Sequence, residues 1–324
     1  MLLAASVLLS SVAVAASIDE VRSPAPLPAP VVGGRSVEPG EFDAVVVVMS
    51  DASVCSGVLI HPRVVVTAAH CIYDATEVVV LFTDDLEAAL EGETLDGEPA
   101  VAWDSDPSYC QDPSGRRCDI NAADIAYVEL GADAPFDPIP PLTGRGSWDQ
   151  ATRRGAPLEL VGFGGDEYGR EGDFGVKRTV TAPFQRHYEF KKVLVGEEGA
   201  SLTFGDSGGP VLLRTAEGYE VLAIASYATT SGNPEGWAST LFPSMCWIRD
   251  EVEVEFDSMP DSWSCDAPVD DLEQGCSIGS PPSHRGTLGL LLLALLRRRG
   301  GAPTKGSTAA AHGRILGLLT PRWR

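Results

Sequence analysis

Basic residues are scarce in this chain, and a third of them lie near its carboxyl end. The 324 residues include 24 Lys and Arg against 46 Asp and Glu, which gives a net charge of −22. Eight of the basic residues and none of the acidic ones follow His284, so residues 1–284 hold 16 basic against 46 acidic residues, a balance of −30. This acidity argues against nucleic acid as a partner, because phosphate contacts need Lys and Arg. We expect a solvated acidic surface that aids solubility.

Sustained helical periodicity is missing before residue 244, and the chain has no internal repeat. The absence of a repeat excludes solenoids and propellers, which repeat about every 20–50 residues. The chain instead contains short, Val-rich apolar runs such as Ala44–Met49 and Val78–Phe82, broken by Gly, Pro, Asp and Ser. This spacing predicts an all-β barrel or sandwich rather than βαβ units. The pattern over 244–254 predicts one helix after these strands.

No Lys or Arg precedes the apolar run at the amino end, MLLAASVLLSSVAVAAS. The run ends in small residues, with Ala13-Val14-Ala15 as an A-x-A cleavage site, and we interpret residues 1–15 as a signal peptide. The alternative is an N-terminal anchor helix, for which the run is short. Residues 16–30 follow as a proline-rich propeptide or linker, with four prolines in Ser23–Pro30.

Three segments contain residue types suited to nucleophilic catalysis. They are TAAHC at Thr67–Cys71, DIAYVEL at Asp124–Leu130 and GDSGGP at Gly205–Pro210. A serine hydroxyl is a weak nucleophile at neutral pH and needs a nearby base, a role that suits histidine. The histidine needs a carboxylate to fix its tautomer, and the developing oxyanion needs backbone N–H donors, which a glycine-rich turn can offer. Each segment alone has modest specificity, and their combination in this order is a strong signal.

These motifs together resemble those of the chymotrypsin/trypsin-like serine protease family. The resemblance assigns His70 as the general base, Asp124 as the residue that orients it and Ser207 as the nucleophile. The N–H groups of Gly205 and Ser207 would form the oxyanion hole. The order His, Asp, Ser is also the order of that family. Asp119 is a competing candidate for the carboxylate, although the apolar strand after Asp124 is the better match.

The resemblance implies both a fold and an activity. It covers residues 31–257 and implies an all-β protein of two six-stranded antiparallel β-barrels with a short C-terminal helix and the catalytic residues in the cleft. The implied activity is that of a secreted serine endopeptidase that cleaves polypeptides through an acyl-enzyme, without a metal or organic cofactor. The alternative is a catalytically silent homologue that acts as a binding protein at the cell surface. A third alternative, a cell-surface structural protein with a passive barrel, has no positive support beyond the sorting signal at the carboxyl end.

Activation in that family pairs a newly formed N-terminal amine with the Asp that precedes the nucleophile. The corresponding pair here would be Val31 and Asp206, and a buried charge is tolerable when it is paired in this way. Pro30 precedes Val31, where cleavage by a trypsin-like activating protease would need Arg or Lys. The alternatives are an activating protease that cuts after Pro30, trimming from elsewhere, or no activation of this kind. We predict a zymogen whose mature chain begins at Val31.

The substrate pocket departs from that of a tryptic enzyme. In the family, the residue at the pocket floor lies six residues before the nucleophile. The corresponding residue here is Ser201, so the floor would have no carboxylate to bind Lys or Arg. Ser226 begins the strand that would pair with substrate, Ala228 would narrow the pocket mouth, and Gly236 would leave room deeper in. Thr203 stands where many members have a cysteine. We therefore predict a preference for uncharged side chains.

Seven cysteines fit export to an oxidising compartment. Cys55–Cys71 resembles the family's bridge beside the catalytic histidine. Cys110–Cys118 would close a local loop, and Cys246–Cys265 would tie the C-terminal helix to the segment after it. Sequence alone does not fix this connectivity. Because seven is odd, Cys276 is left without an intrachain partner.

The chain after the predicted protease domain resembles a sorting signal. A polar linker over 258–284 overlaps a segment, 275–299, in which Cys276, the apolar run Leu288–Leu296 and three arginines resemble the myxobacterial MYXO-CTERM tag. The apolar run would enter the membrane with the arginines on its cytoplasmic side, and a sorting enzyme at the membrane would process the tag near its cysteine. The alternatives are a plain tail anchor or a fortuitous leucine-rich run. Residues 300–324 are unassigned.

Overall fold

The computed structural model describes residues 33–92, 96–110, 122–165, 174–229 and 235–259, together with Trp263, Cys265, Ala267 and Pro268. Several predicted features lie outside these residues: the signal peptide, the proline-rich segment, Val31, Cys118, Asp119, the sorting segment with Cys276 and the tail. Within the described residues, no helix is both long and apolar enough to cross a membrane.

Strands dominate the described chain, as the short apolar runs predict. In chain order they are β1 (Arg35–Ser36), β2 (Val45–Ser50), β3 (Val54–His61), β4 (Val64–Thr67), β5 (Val78–Leu81), β6 (Gly97–Ser105), β7 (Ala126–Leu130), β8 (Pro157–Gly162), β9 (Arg178–Tyr188), β10 (Lys192–Val195), β11 (Pro210–Arg214), β12 (Tyr219–Thr229) and β13 (Glu235–Thr240). The helices are α1 (Ala69–Ile72), α2 (Leu86–Glu91), α3 (Arg145–Ala151) and α4 (Met245–Val252), with a 3₁₀ turn at Phe242–Ser244 before α4.

Two six-stranded antiparallel barrels form from these strands. The first is closed in the order β2-β3-β4-β7-β6-β5, and the second runs β9-β10-β13-β12-β11-β8 and closes through β8 and β9. β1 adds to the edge of the second barrel by pairing with β9. β2 illustrates the cause, since its sequence VVVVMS is buried along its whole length and β-branched residues pack well on a pleated surface. The predicted fold is confirmed.

The C-terminal helix is also where the periodicity predicts it, although it is shorter than the predicted 244–254. Met245, Ile248 and Val252 form its buried face, with the spacing of an amphipathic helix. All three belong to the apolar cluster of the first barrel, whereas the helix follows the last strand of the second. The helix therefore follows the second barrel in sequence and packs against the first.

A buried lysine crosses the junction between the barrels. Lys177, which directly precedes β9, is 2% exposed, and its Nζ lies 2.7 Å from Asp84 Oδ1 of the first barrel. Nζ also donates to the carbonyl of Phe42 at 3.2 Å and lies 5.7 Å from the centre of the Phe163 ring. Burial lowers the pKa of Lys177, and the charge and hydrogen bond of Asp84 oppose that shift. The junction thus contains a charge with a partner on the opposite barrel.

Candidate active site

His70 and Asp124 are brought together by the pairing of two strands in the first barrel. Thr67 at the end of β4 and Ala126 at the start of β7 are register partners. His70 follows β4 and Asp124 precedes β7, so both lie at the same end of this strand pair. His70 Nδ1 is 2.8 Å from Asp124 Oδ2, and the backbone N–H of His70 donates to Oδ1 at 3.0 Å. With the proton on Nδ1, Nε2 can act as a proton acceptor.

Asp124 is a largely buried carboxylate with partners on both barrels. Its side chain is 12% exposed. Ser226 Oγ of β12 donates to Oδ2 at 2.5 Å, and the backbone N–H of Asp124 donates to Ser239 Oγ of β13 at 3.1 Å. Burial by itself would raise the pKa of Asp124, but the bonds from His70 and Ser226 outweigh it, so the pKa is lowered. A carboxylate in this state can stabilise a neighbouring imidazolium.

Ser207 lies on a tight turn that precedes β11 of the second barrel. The next residue, Gly208, has φ +83°, and a Cβ there would lie 2.1 Å from Thr67 Oγ1 and 2.2 Å from the carbonyl oxygen of Ser56. Only glycine permits this approach, which brings the turn against the segment of the first barrel that leads to His70.

One cavity of about 490 Å³ joins these residues. Its lining consists of His70, Asp124, Leu202, Thr203, Phe204, Asp206, Ser207, Ala225, Ser226, Tyr227 and Ala228. Ser207 Oγ makes no hydrogen bond to His70 within the described part of the chain. Catalytic hydrogen bonds of this kind commonly tighten only when a substrate binds. The N–H groups of Gly205 and Ser207 have no acceptor among the described residues and are therefore available to an oxygen of a ligand.

Asp206 is a second buried carboxylate in this turn, with 1% exposure. Oδ1 accepts the N–H of Gly164 at 2.9 Å, and Oδ2 accepts the N–H of Thr203 at 2.8 Å. Burial raises the pKa of Asp206 to about 7, although these two bonds and the charge of Arg178 act in the opposite direction. The carboxyl is therefore close to its titration midpoint at neutral pH. Its predicted partner, the Val31 amine, lies outside the described residues.

The predicted pocket residues divide into two groups. Ser226 and Ala228 line the cavity, whereas Ser201 and Gly236 do not. A Cβ on Gly236 would lie 2.9 Å from Leu202 Cγ, so the branched Leu202 side chain packs directly on this glycine. The roles expected of Ser201 as a pocket floor and of Gly236 as room deeper in stay predictions, and neither residue borders the cavity described above. Leu202 takes that space, and Ser201 is fully buried.

Two predicted disulfides are formed by cysteines that the structure describes. They are Cys55–Cys71 and Cys246–Cys265. Cys110 is also disulfide-bonded, and its predicted partner Cys118 lies outside the described residues. The first bridge joins β3 to the residue after His70. Its sulfurs lie within 4.8 Å of a ring nitrogen of His70, but disulfide sulfurs lack the thiolate that binds metals, so this group is not a metal site.

Sequence reasoning missed two residues of the site. Leu202 is adjacent to the predicted floor residue Ser201, and its position beside that residue was a signal that could have identified it. Ser56 binds the backbone of Ser207, since its N–H donates to the Ser207 carbonyl at 2.8 Å. No motif points to Ser56 beyond its position next to Cys55.

Comparisons with known proteins agree with this fold. The family model described as Trypsin matches residues 31–248, about two thirds of the chain. One solved structure, titled "Structure of GrC", matches with a TM-score of 0.56 at 19% identity, over 68% of this chain and 99% of that chain. At that identity the likeness concerns the fold alone. No curated protein matches the chain significantly.

We predict that Asp206 makes the stability of the full-length chain fall as pH rises from about 4 to about 7. The folded state binds the Asp206 proton more tightly than the unfolded chain, whose carboxyl has the ordinary pKa of 3.8. The stabilising contribution is complete below that ordinary value and is lost as pH rises through the folded value of about 7. The shift corresponds to roughly 4 kcal/mol. Urea unfolding across this pH range measures it.

The Asp206→Asn variant should flatten the dependence of the unfolding free energy on pH between about 4 and about 7, whatever its absolute stability, because it takes up no proton at this position. The matched control is Asp149→Asn, since the Asp149 side chain is 65% exposed, and it should keep the parent profile. An unchanged slope in Asp206→Asn would contradict the assignment.

Proposed function

Because this chain belongs to the trypsin family of serine endopeptidases, we propose that it hydrolyses peptide bonds through a triad of His70, Asp124 and Ser207. The observation that carries the proposal is the contact of His70 with Asp124 beside a cavity that Ser207 also lines. A histidine held by a carboxylate, next to a serine and to backbone N–H donors, is the arrangement that acyl transfer to serine requires.

Acylation begins when Ser207 Oγ attacks the carbonyl carbon of the scissile peptide. The Oγ proton passes to Nε2 of His70, and Asp124 stabilises the resulting imidazolium through Nδ1–H. The carbonyl oxygen becomes an oxyanion that accepts hydrogen bonds from the N–H groups of Gly205 and Ser207. When the tetrahedral intermediate collapses, the C–N bond breaks and the leaving amine takes the proton from His70. An ester on Ser207 remains.

Deacylation repeats these steps with water as the nucleophile. His70 takes a proton from the water as its oxygen attacks the ester carbon, and collapse of the intermediate returns that proton to Ser207 Oγ. The substrate backbone can be held by β12, because Tyr227–Thr229 pair with β13 on one side and have no ladder partner on the other among the described strands. An extended substrate segment can add to this open edge.

We predict that an active-serine phosphonate probe labels the processed protein and that Ser207→Ala abolishes the labelling. Peptidase turnover should fall by ~10⁴-fold or more, since the nucleophile is lost and the base has nothing to activate. The control Ser36→Ala, an exposed serine of β1, should label like wild type. Intact-protein mass spectrometry measures the labelled fraction. Wild type that never labels after any processing would favour the alternative of a catalytically silent binding protein.

The cavity supports a preference for uncharged, moderately sized side chains at the residue before the cleaved bond. Asp124 and Asp206 are the carboxylates among its lining residues, and both are held by hydrogen bonds within the protein. The branched side chain of Leu202 occupies the space beside Gly236, so the site is shallow. A Lys or Arg side chain would find neither depth nor a free counter-charge there.

We predict that wild type cleaves peptides with Ala or Val before the scissile bond in preference to Arg, Lys or Phe. Leu202→Ala should raise kcat/KM for Phe relative to Val by about 10-fold, because it enlarges the pocket by most of a side chain. The measurement is a panel of chromogenic peptides. Leu222→Ala is the matched control, since Leu222 is equally buried in the second barrel but does not line the cavity. Strong selectivity for Arg or Lys would refute the pocket assignment.

The start of the described chain supports activation through Val31. Gly33 has φ +83°, and a Cβ there would lie 1.6 Å from the carbonyl oxygen of Gly199. Gly199 belongs to the segment that leads to the nucleophile turn, residues 205–209, which includes Ser207. Gly33, two residues after Val31 in sequence, therefore packs against the part of the second barrel that precedes Asp206. An ammonium group on Val31 would offset the buried charge of Asp206 and order the turn. An activating protease other than a tryptic one would have to cut after Pro30.

We further propose that the enzyme is exported through a signal peptide at 1–15, with a propeptide at 16–30 and a catalytic domain at 31–257. The two disulfides described above support folding in an oxidising compartment. The linker at 258–284 would lead into the MYXO-CTERM-like segment at 275–299. Processing by a sorting enzyme near Cys276 would retain the protein at the cell surface.

We predict that the active exported protein begins at Val31 and ends near Cys276, which intact-mass and terminal-peptide analysis can measure together. Gly33→Ala should reduce activity by ~10-fold or more, because the added Cβ clashes with Gly199 and displaces the new terminus. Gly40→Ala is the matched control: Gly40 has a nearly identical φ of +84°, but nothing lies within 4 Å of its added Cβ. A different mature N-terminus, or equal effects of the two variants, would contradict this activation route.

A further inference from the structure

Ser56, in β3 of the first barrel, is fully buried, and all of its polar groups are hydrogen-bonded. Its Oγ donates to the carbonyl of Gly205 at 2.9 Å and accepts from the N–H of Phe163 at 3.0 Å. Its N–H donates to the carbonyl of Ser207 at 2.8 Å, and its own carbonyl accepts from Thr67 Oγ1 at 2.7 Å. A buried residue with every polar group paired has little freedom to move.

These bonds hold the nucleophile turn by its carbonyl groups. The carbonyls of Gly205 and Ser207 both accept from Ser56, so the planar peptide that follows each residue is fixed from the side of the first barrel. Their N–H groups are the ones without an acceptor among the described residues. Gly205 has φ +95°, and a glycine has no side chain to restrict its rotation. The N–H of Gly205 belongs to the preceding peptide, so the contact at the Gly205 carbonyl acts on that donor by restricting the backbone rotations of Gly205 itself.

The neighbour of Ser56 connects the same strand to the base. Cys55 is bonded to Cys71, which directly follows His70. The dipeptide Cys55-Ser56 thus contacts the histidine segment through one residue and the Ser207 turn through the next. Because both contacts originate on one short piece of β3, the spacing between base and nucleophile is set there.

We propose that Ser56 is a positioning residue, whose hydroxyl aligns the oxyanion donors with the nucleophile through the Gly205 carbonyl. The inference rests on the roles proposed above for Gly205 and Ser207. Ser56 does not line the cavity, so we expect it to act through Gly205 rather than on the substrate. Because the oxyanion develops only after attack, a misaligned donor weakens transition-state binding and leaves ground-state binding intact. Loss of the Ser56 hydroxyl should therefore lower kcat and leave KM nearly unchanged.

The Ser56→Ala variant removes the hydroxyl and keeps both backbone bonds. We expect kcat to fall ~10-fold, less than the ~10²–10³-fold that follows loss of a direct oxyanion donor. KM should stay within about twofold of wild type, since ground-state contacts are unchanged. The affinity of a peptide boronic acid, which forms a tetrahedral adduct on Ser207, should fall by the same factor as kcat/KM. A purely structural role would not move that affinity.

Ser244→Ala is the matched control. Ser244 is 1% exposed, and its Oγ donates to Asp106 Oδ2 at 2.6 Å, so this bond does not involve the nucleophile turn. This variant should lower Tm without changing kcat or boronate affinity. Ser56→Gly is a second test variant if Ser56→Ala does not fold, because it leaves room for a water beside Gly205. It should show the same direction of change.

A lower Tm in the Ser56 variants, with kcat and boronate affinity both at wild-type levels, would overturn the proposal and leave Ser56 a structural residue. A rise in KM alone would also overturn it. Absence of phosphonate labelling in wild type would instead refute the proposed function. The two failures are therefore distinguishable.

Discussion

A carboxylate that stays charged inside the protein is the constraint on which the rest of the site depends. Asp124 belongs to the first barrel, yet the hydroxyls of Ser226 and Ser239 that bind it belong to the second. Without the bonds from His70 and Ser226, burial would favour the neutral acid, which cannot stabilise a cation on the imidazole. The barrels cannot slide apart without uncovering or neutralising this group. The hydroxyl groups around Asp124 therefore answer the need of a buried charge for partners.

The second buried carboxylate differs from the first in the direction of its pKa shift. Asp206 lines the same cavity as Asp124, but burial raises its pKa to about 7, whereas the pKa of Asp124 is lowered. Two carboxyl groups whose pKa values are shifted in opposite directions can take different roles in one site. Asp124 is a constant charge suited to orienting a base. Asp206 changes its state when a positive charge approaches, and it adjoins Ser207 in the chain, so a change there reaches the nucleophile directly.

The all-β class could be predicted from valine-rich runs at strand lengths. The two-barrel fold and the pairing of His70 with Asp124, which lie 54 residues apart in sequence, were expected only from the resemblance of the three motifs to a known family. The pocket could not be predicted to the same depth. Counting back from Ser207 reached Ser201, but whether Ser201 or Leu202 faces the cavity depends on backbone orientation, which spacing does not encode. Ser56 is harder still, because its Oγ partners Gly205 and Phe163 are 149 and 107 residues away in sequence. Such pairs follow from how the barrels dock.

Directional contacts, rather than apolar area, determine how the two barrels face each other. Apolar packing is non-directional and tolerates small displacements, whereas a hydrogen bond weakens steeply once its geometry departs from the optimum. The polar contacts that cross this junction include Lys177–Asp84, Ser226–Asp124 and Ser56–Gly205. Acyl transfer needs its reacting atoms aligned within about 3–3.5 Å. With the proposed base on one barrel and the proposed nucleophile on the other, a junction of directional contacts can maintain that alignment. An apolar junction of equal area would stabilise many nearly equivalent arrangements.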